Sequence, residues 1–161
     1  MKITLVFLAL VLAFSGCIIE ETTTHQAYFT NTTNHRIVIV PFQEGAPLNN
    51  KIMLLKADTS INVFIITGRG IADPALFQEN YFSEADSVVV TFDSTYSITH
   101  YIHTPEHLAP KYYLPDSDRN LYNKSSYLYT SEDLNKHNRR ITYYYSFLVS
   151  DYENALKKTR E

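Results

Sequence analysis

Tryptophan is absent from these 161 residues, cysteine occurs once and glycine four times. A single cysteine excludes an internal disulfide framework and any Cys-rich zinc module. Sparse glycine and only six scattered prolines argue against a repetitive or disordered chain. Concentrated positive charge is lacking too, since 14 Lys and Arg stand against 17 Asp and Glu and cluster only at Arg139-Arg140 and Lys157-Lys158. Phosphate backbones need dense Lys and Arg, so nucleic acid is not an expected partner. Catalytic signatures are missing: there is no G-x-S-x-G, no second Cys, no H-E-x-x-H, and Gly68-Arg69-Gly70 lacks the remainder of a phosphate loop. The expectation is a protein that is not an enzyme and takes no cofactor, with a hydrolase as the last-ranked reading.

No apolar run is long enough for a lasting membrane span. Ile3 to Phe14 follows the single early charge, Lys2, and stops short of the roughly 20 residues that cross a bilayer. It closes on Ser15-Gly16-Cys17, which is signal-peptide grammar. Phe14-Ser15-Gly16-Cys17 resembles the lipobox of bacterial lipoproteins, departing from it at Phe14, where Leu is commoner. The resemblance implies cleavage before Cys17 and acyl chains on it that attach the protein to a membrane. More than one chain makes such attachment lasting, at about 0.8 kcal/mol per buried CH₂. The alternatives are a secreted protein with a free thiol and an uncleaved anchor. Ile18 after the cysteine, in place of the Asp that retains lipoproteins at an inner membrane, implies the outer membrane. Glu20-Glu21 resembles the surface-export signal of Bacteroidetes lipoproteins. This predicts a cell-surface location, with a periplasm-facing one as the alternative.

Tyrosine and phenylalanine are abundant, 13 and 9, and with β-branched residues they suit pleated, half-buried surfaces. Runs at 27–30 and 36–40 around Asn31-Thr32-Thr33-Asn34 predict an opening hairpin. Further strands are predicted over 51–55 and 60–67, and a helical turn over 74–78 after Asp73. A second hairpin pairs 87–92 with 95–102 around Asp93-Ser94. Its second arm puts Tyr96, Ile98, His100 and Ile102 on one face and Ser97, Thr99, Tyr101 and His103 on the other. A last hairpin joins 127–130 to 140–149 through 135–138, with Ile141, Tyr143, Tyr145, Phe147 and Val149 on its apolar side. Ser150 with Glu153 reads as a capping box that opens a helix from Asp151 to about Lys157. The expected fold is all-β: a two-sheet antiparallel sandwich, immunoglobulin- or transthyretin-like, of seven or eight short strands with a short C-terminal helix. Residues 1–16 are the predicted signal peptide, 17–25 the lipidated cysteine and tether, and 26–161 a single domain.

Three constellations carry candidate chemistry. His100-x-x-His103-x-x-x-His107 offers imidazoles, but strand alternation sends His100 and His103 to opposite faces and Pro105 breaks any helix between His103 and His107, so no metal is assigned. Asp116-x-Asp118-x-Asn120 opens like a calcium loop and then has Leu121 where Gly belongs and Tyr127 where Glu belongs. Tyr112, Tyr113, Asp116, Asp118 and Tyr122 lie along the proline-containing segment 104–123, with Tyr127 and Tyr129 beyond it. Tyrosine is favoured in binding surfaces, so this segment is the candidate binding loop, packing being the alternative.

The aromatic strand and Ser-Asp-Tyr-Glu-Asn-Ala over 141–155 resemble small Bacteroidetes lipoproteins of uncharacterised function. That resemblance implies O-glycosylation at Asp-Ser-Thr and Asp-Ser-Val, hence at Ser94 and Ser87. The expected role is a surface-anchored, non-enzymatic module for protein or glycan. The alternative is a structural or accessory subunit of an outer-membrane or periplasmic complex. A concave polar pocket would favour the first and a flat apolar patch the second.

Overall fold

The computed structural model describes residues 21–69 and 82–157. The predicted signal peptide, Cys17 and the helical turn over 74–78 lie outside the described residues. Four strands, β1 (Thr22–Asn31), β5 (Ser60–Arg69), β9 (Leu128–Asn135) and β10 (Asn138–Phe147), form one sheet in the order β5-β1-β10-β9. The second sheet holds β2 (Ile37–Gln43), β3 (Ala46–Pro47), β4 (Met53–Leu55), β6 (Ser87–Phe92), β7 (Tyr96–Tyr101) and β8 (Tyr112–Tyr113), ordered β3-β2-β6-β7-β8, with β4 also on β2. Helix α1 (Val149–Leu156) follows β10. The protein is thus an all-β sandwich with a short C-terminal helix.

Period-two alternation builds the core. His25, Ala27, Phe29 and Asn31 of β1 face inward between half-exposed neighbours, as do Val88, Val90 and Phe92 of β6. Phe29 makes edge-on contacts with Tyr145 and Phe147, at ring separations of 5.9 and 5.8 Å, a favoured aromatic geometry. In the β6–β7 hairpin, Asp93 and Ser94 take φ of 49° and 60°, and Thr95 donates its N–H to Phe92. Positive φ at both central residues gives the turn a twist that matches the flanking strands.

The opening hairpin is not formed. β1 pairs antiparallel with β5 and parallel with β10, while β2 belongs to the other sheet. The cause is Asn31, which is fully buried. Its amide donates to His35 O (2.7 Å) and Lys56 O (3.0 Å), and its oxygen accepts from the N–H and hydroxyl of Thr33. One carboxamide satisfies the backbone of a corner where the chain crosses between sheets. Residues 22–25, assigned to the tether, are strand: they pair with 138–141 and 66–69. The helix also starts earlier than its sequence signals indicate. Asp151, not Glu153, closes its first turn by accepting the Leu148 N–H at 2.8 Å, and Val149 lies on the helix, 52% exposed, instead of continuing the apolar face of β10.

His100 is enclosed on β7, where its Nδ1 accepts the Leu121 N–H at 3.1 Å, so the ring proton sits on Nε2. Burial, aided by the charge of Arg119, depresses its pKa from 6.5 to about 3. The unfolded chain therefore binds a proton here between those two values that the folded chain refuses, and stability falls as pH drops from about 6.5 to about 3. In His100→Asn the carboxamide oxygen can still take the Leu121 N–H and nothing titrates. Urea unfolding across that pH window will show a shallower decline for the variant than for the parent.

Candidate functional site

The segment 104–123, the candidate binding loop, is fastened to the domain from within. Asn120 is fully buried, and its amide nitrogen lies 2.9, 3.0 and 2.8 Å from the carbonyls of Tyr101, Tyr113 and Leu114. Its oxygen accepts the Tyr122 N–H. Beside it, Arg119 forms a two-pronged ion pair with the buried Asp151, donates to Ser146 O at 2.8 Å, and lies 4.7 Å from the centre of the Tyr145 ring. Tyr113 donates to Asp151 and accepts from Asn154. Burial pushes the Tyr127 and Tyr145 phenols well above their usual pKa. Both remain donors, to Leu121 O (2.7 Å) and Arg119 O (2.8 Å). These tyrosines bolt the segment down from within.

The other candidates part company. Tyr122 is buried against Phe82, whereas Tyr112 is 39% exposed beside Tyr101. Asp116 and Asp118 are exposed while Asn120 is enclosed, so the three calcium-like positions do not converge. His103 and His107 are exposed and His100 is buried. Among the described residues, no three His, Cys, Asp or Glu side chains are placed to hold a metal. Ser94 is exposed on its turn, and Ser87 is half-buried, donating to Asp86 at 2.7 Å. Asp93 accepts from His35 and from the Arg36 N–H, which hold its carboxyl below the usual range. His35 in turn stacks on Tyr152 at 3.6 Å.

A polar depression of about 280 Å³ lies at the tip of the β9–β10 hairpin, among Glu21, Asp133, Lys136, His137 and Arg139. Small-molecule sites are mostly apolar and of roughly 300–1,000 Å³, so this one is small and of the wrong lining.

The outer face of the four-stranded sheet is different. Register puts Tyr28, Tyr144 and Leu128 on one rung, with Ile65 opposite Gln26 on the next. Leu128 is 77%, Ile65 61% and Tyr144 38% exposed. Tyr28 and Tyr144 stack against each other at 5.9 Å, and the Gln26 amide donates to Thr142 beside them. Apolar side chains gathered on one face, unlike isolated ones, make this the candidate contact site. A signal for this face was present in the sequence, because Tyr28 and Tyr144 fall out of phase with inward sets that are already apolar. It becomes a patch only when β1 and β10 are placed side by side.

Because these side chains are bare, replacing Ile65 and Leu128 by serine will change unfolding free energy by no more than about 0.5 kcal/mol. The same replacement at Ile39, which is fully buried, will cost several times more. Urea titration separates the two cases, and a large loss at the surface pair would mean that this face is part of the core. No family model, curated protein or solved structure matches this chain.

Proposed function

We propose that the chain is a membrane-anchored lipoprotein without catalytic activity that docks a partner protein on the outer face of its four-stranded sheet. The rung of half-buried Tyr28 with exposed Tyr144 and Leu128 carries the docking half of this reading. A flat apolar face suits assembly with another protein surface, which favours an accessory subunit of an outer-membrane or surface complex. A glycan receptor fits less well, because Leu128 and Ile65, the most exposed apolar side chains of this face, offer a sugar no hydrogen bond.

Cys17, in its lipobox-like setting, carries the anchoring half. β1 starts at Thr22, so even a fully extended tether, at ~3.5 Å per residue, reaches only about 18 Å. The Thr22 N–H bonds to His137 O, so β1 begins beside the polar β9–β10 tip.

Cell fractionation and protease treatment of intact cells test this reading. The protein is expected in the outer-membrane fraction and Cys17→Ala in the soluble one, with protease removing the anchored form. Full protection would turn the face toward a periplasmic partner, and a variant still on the membrane would overturn the anchor. A photo-crosslinker at position 144 is expected to give one defined protein adduct that a crosslinker at the exposed Glu44 does not. Equal labelling at both positions would overturn the docking face.

A further inference from the structure

We propose that β9 is a self-pairing edge through which two copies of this chain join their four-stranded sheets antiparallel, with Ser131 on the two-fold axis. Among the described residues, β9 ends its sheet and pairs with β10 alone. All eight of its residues are exposed, and Leu128-Tyr129-Thr130-Ser131-Glu132-Asp133-Leu134-Asn135 holds neither proline nor lysine. Proteins commonly blunt such edges with proline, bulges, short strands or charged side chains, lysine above all, and the two charges of β9, Glu132 and Asp133, are each paired with an arginine of β10. The opposite edge, β5, is blunted by a register shift in its middle, at Ala27/Tyr28 of its partner. On β9 the only shift is beside the turn, where Leu134 is left without a partner.

Geometry restricts the register that a second copy can take. Along an edge, outward-pointing N–H and C=O groups belong to alternate residues, so antiparallel pairing of a strand with its own copy must match residues of like parity. The two-fold axis then passes through one residue and continues each face onto the same face of the other copy. Two registers give the longest overlap, centred on Ser131 and on Glu132. The second sets Glu132 directly against its own copy, a destabilising like-charge pair. The first sets Glu132 against Thr130 and Asp133 against Tyr129, both of which offer hydroxyl donors, and brings Leu128 to Leu134 at the ends. Arg140 and Arg139 already partner Glu132 and Asp133 within each copy. The acidic pair therefore does not repel the second chain in this register. The Tyr28–Tyr144–Leu128 rungs of both copies then lie on one continuous face.

This inference deepens the docking reading and makes no use of the anchor. The test is disulfide trapping of the full chain carrying Cys17→Ala, to remove the native thiol, together with either Ser131→Cys or Glu132→Cys. Residues opposite each other on the two-fold have Cβ atoms about 5 Å apart, close enough for a disulfide with slight adjustment, whereas partners displaced along the strand lie beyond its reach. Under mild oxidation the Ser131→Cys chain is expected to double its mass on a non-reducing gel and the Glu132→Cys chain to remain single. A dimer from Glu132→Cys alone would overturn the register. Monomer from both, with the parent chain sedimenting as a monomer, would overturn self-pairing and leave the edge to a foreign strand. Neither result bears on membrane attachment or on a crosslink at position 144.

Discussion

A carboxylate withdrawn from water must be given back what water supplied, and Asp151 is where this sandwich meets that demand. It receives the Arg119 guanidinium, the Tyr113 hydroxyl and the Leu148 N–H. The donors come from the residue between β10 and α1, from β8 and from the long segment before β9, so one side chain fixes the start of α1 and the path of a stretch with little regular structure. Desolvation of a buried pair can consume its Coulombic gain. What the cluster secures here is position: Arg119 held by Asp151 presents its own carbonyl to Tyr145, and Asn120, next in the chain, binds three more carbonyls.

Alternation made much of the fold legible. Val88, Val90 and Phe92 on β6, and Ile98 with His100 on β7, face inward as their spacing requires, and the two later hairpins form around the turns that Asp93-Ser94 and 135–138 announce. What stayed hidden was long-range. Asn31-Thr32-Thr33-Asn34 has the composition of a hairpin turn, and composition does not reveal whether a buried carboxamide will redirect the chain into another sheet. The local sequence signals place the helix start too late for a related reason. Ser150 and Glu153 fit a cap locally, while the pairing of β10 through Phe147 moved the first turn forward and gave Asp151 the role.

The candidate site divides along the same line. Tyrosine density over 112–129 was visible, but the side to which each ring turned was not. Tyr113, Tyr122 and Tyr127 serve the interior, and Tyr112 and Tyr129 remain outside. The apolar face on the four-stranded sheet draws on residues far apart in sequence, Tyr28, Ile65, Leu128 and Tyr144, and no window along the chain contains them. Only the register of β1 against β10 gathers them.

That parallel register also imposes an order of events. Among the described residues, Thr22 to Asn31 is the first strand and lies beside Asn138 to Phe147, the last. A chain made from its N-terminus can pair β1 with β5 early, yet one flank of β1 stays unsatisfied until nearly the whole domain has been synthesised. Contacts of such long sequence separation are slow to close, and open strands invite wrong pairing meanwhile. The completed sandwich is therefore a late product of its own synthesis, and a nascent chain stalled before residue 138 would expose the flank that β10 is meant to cover.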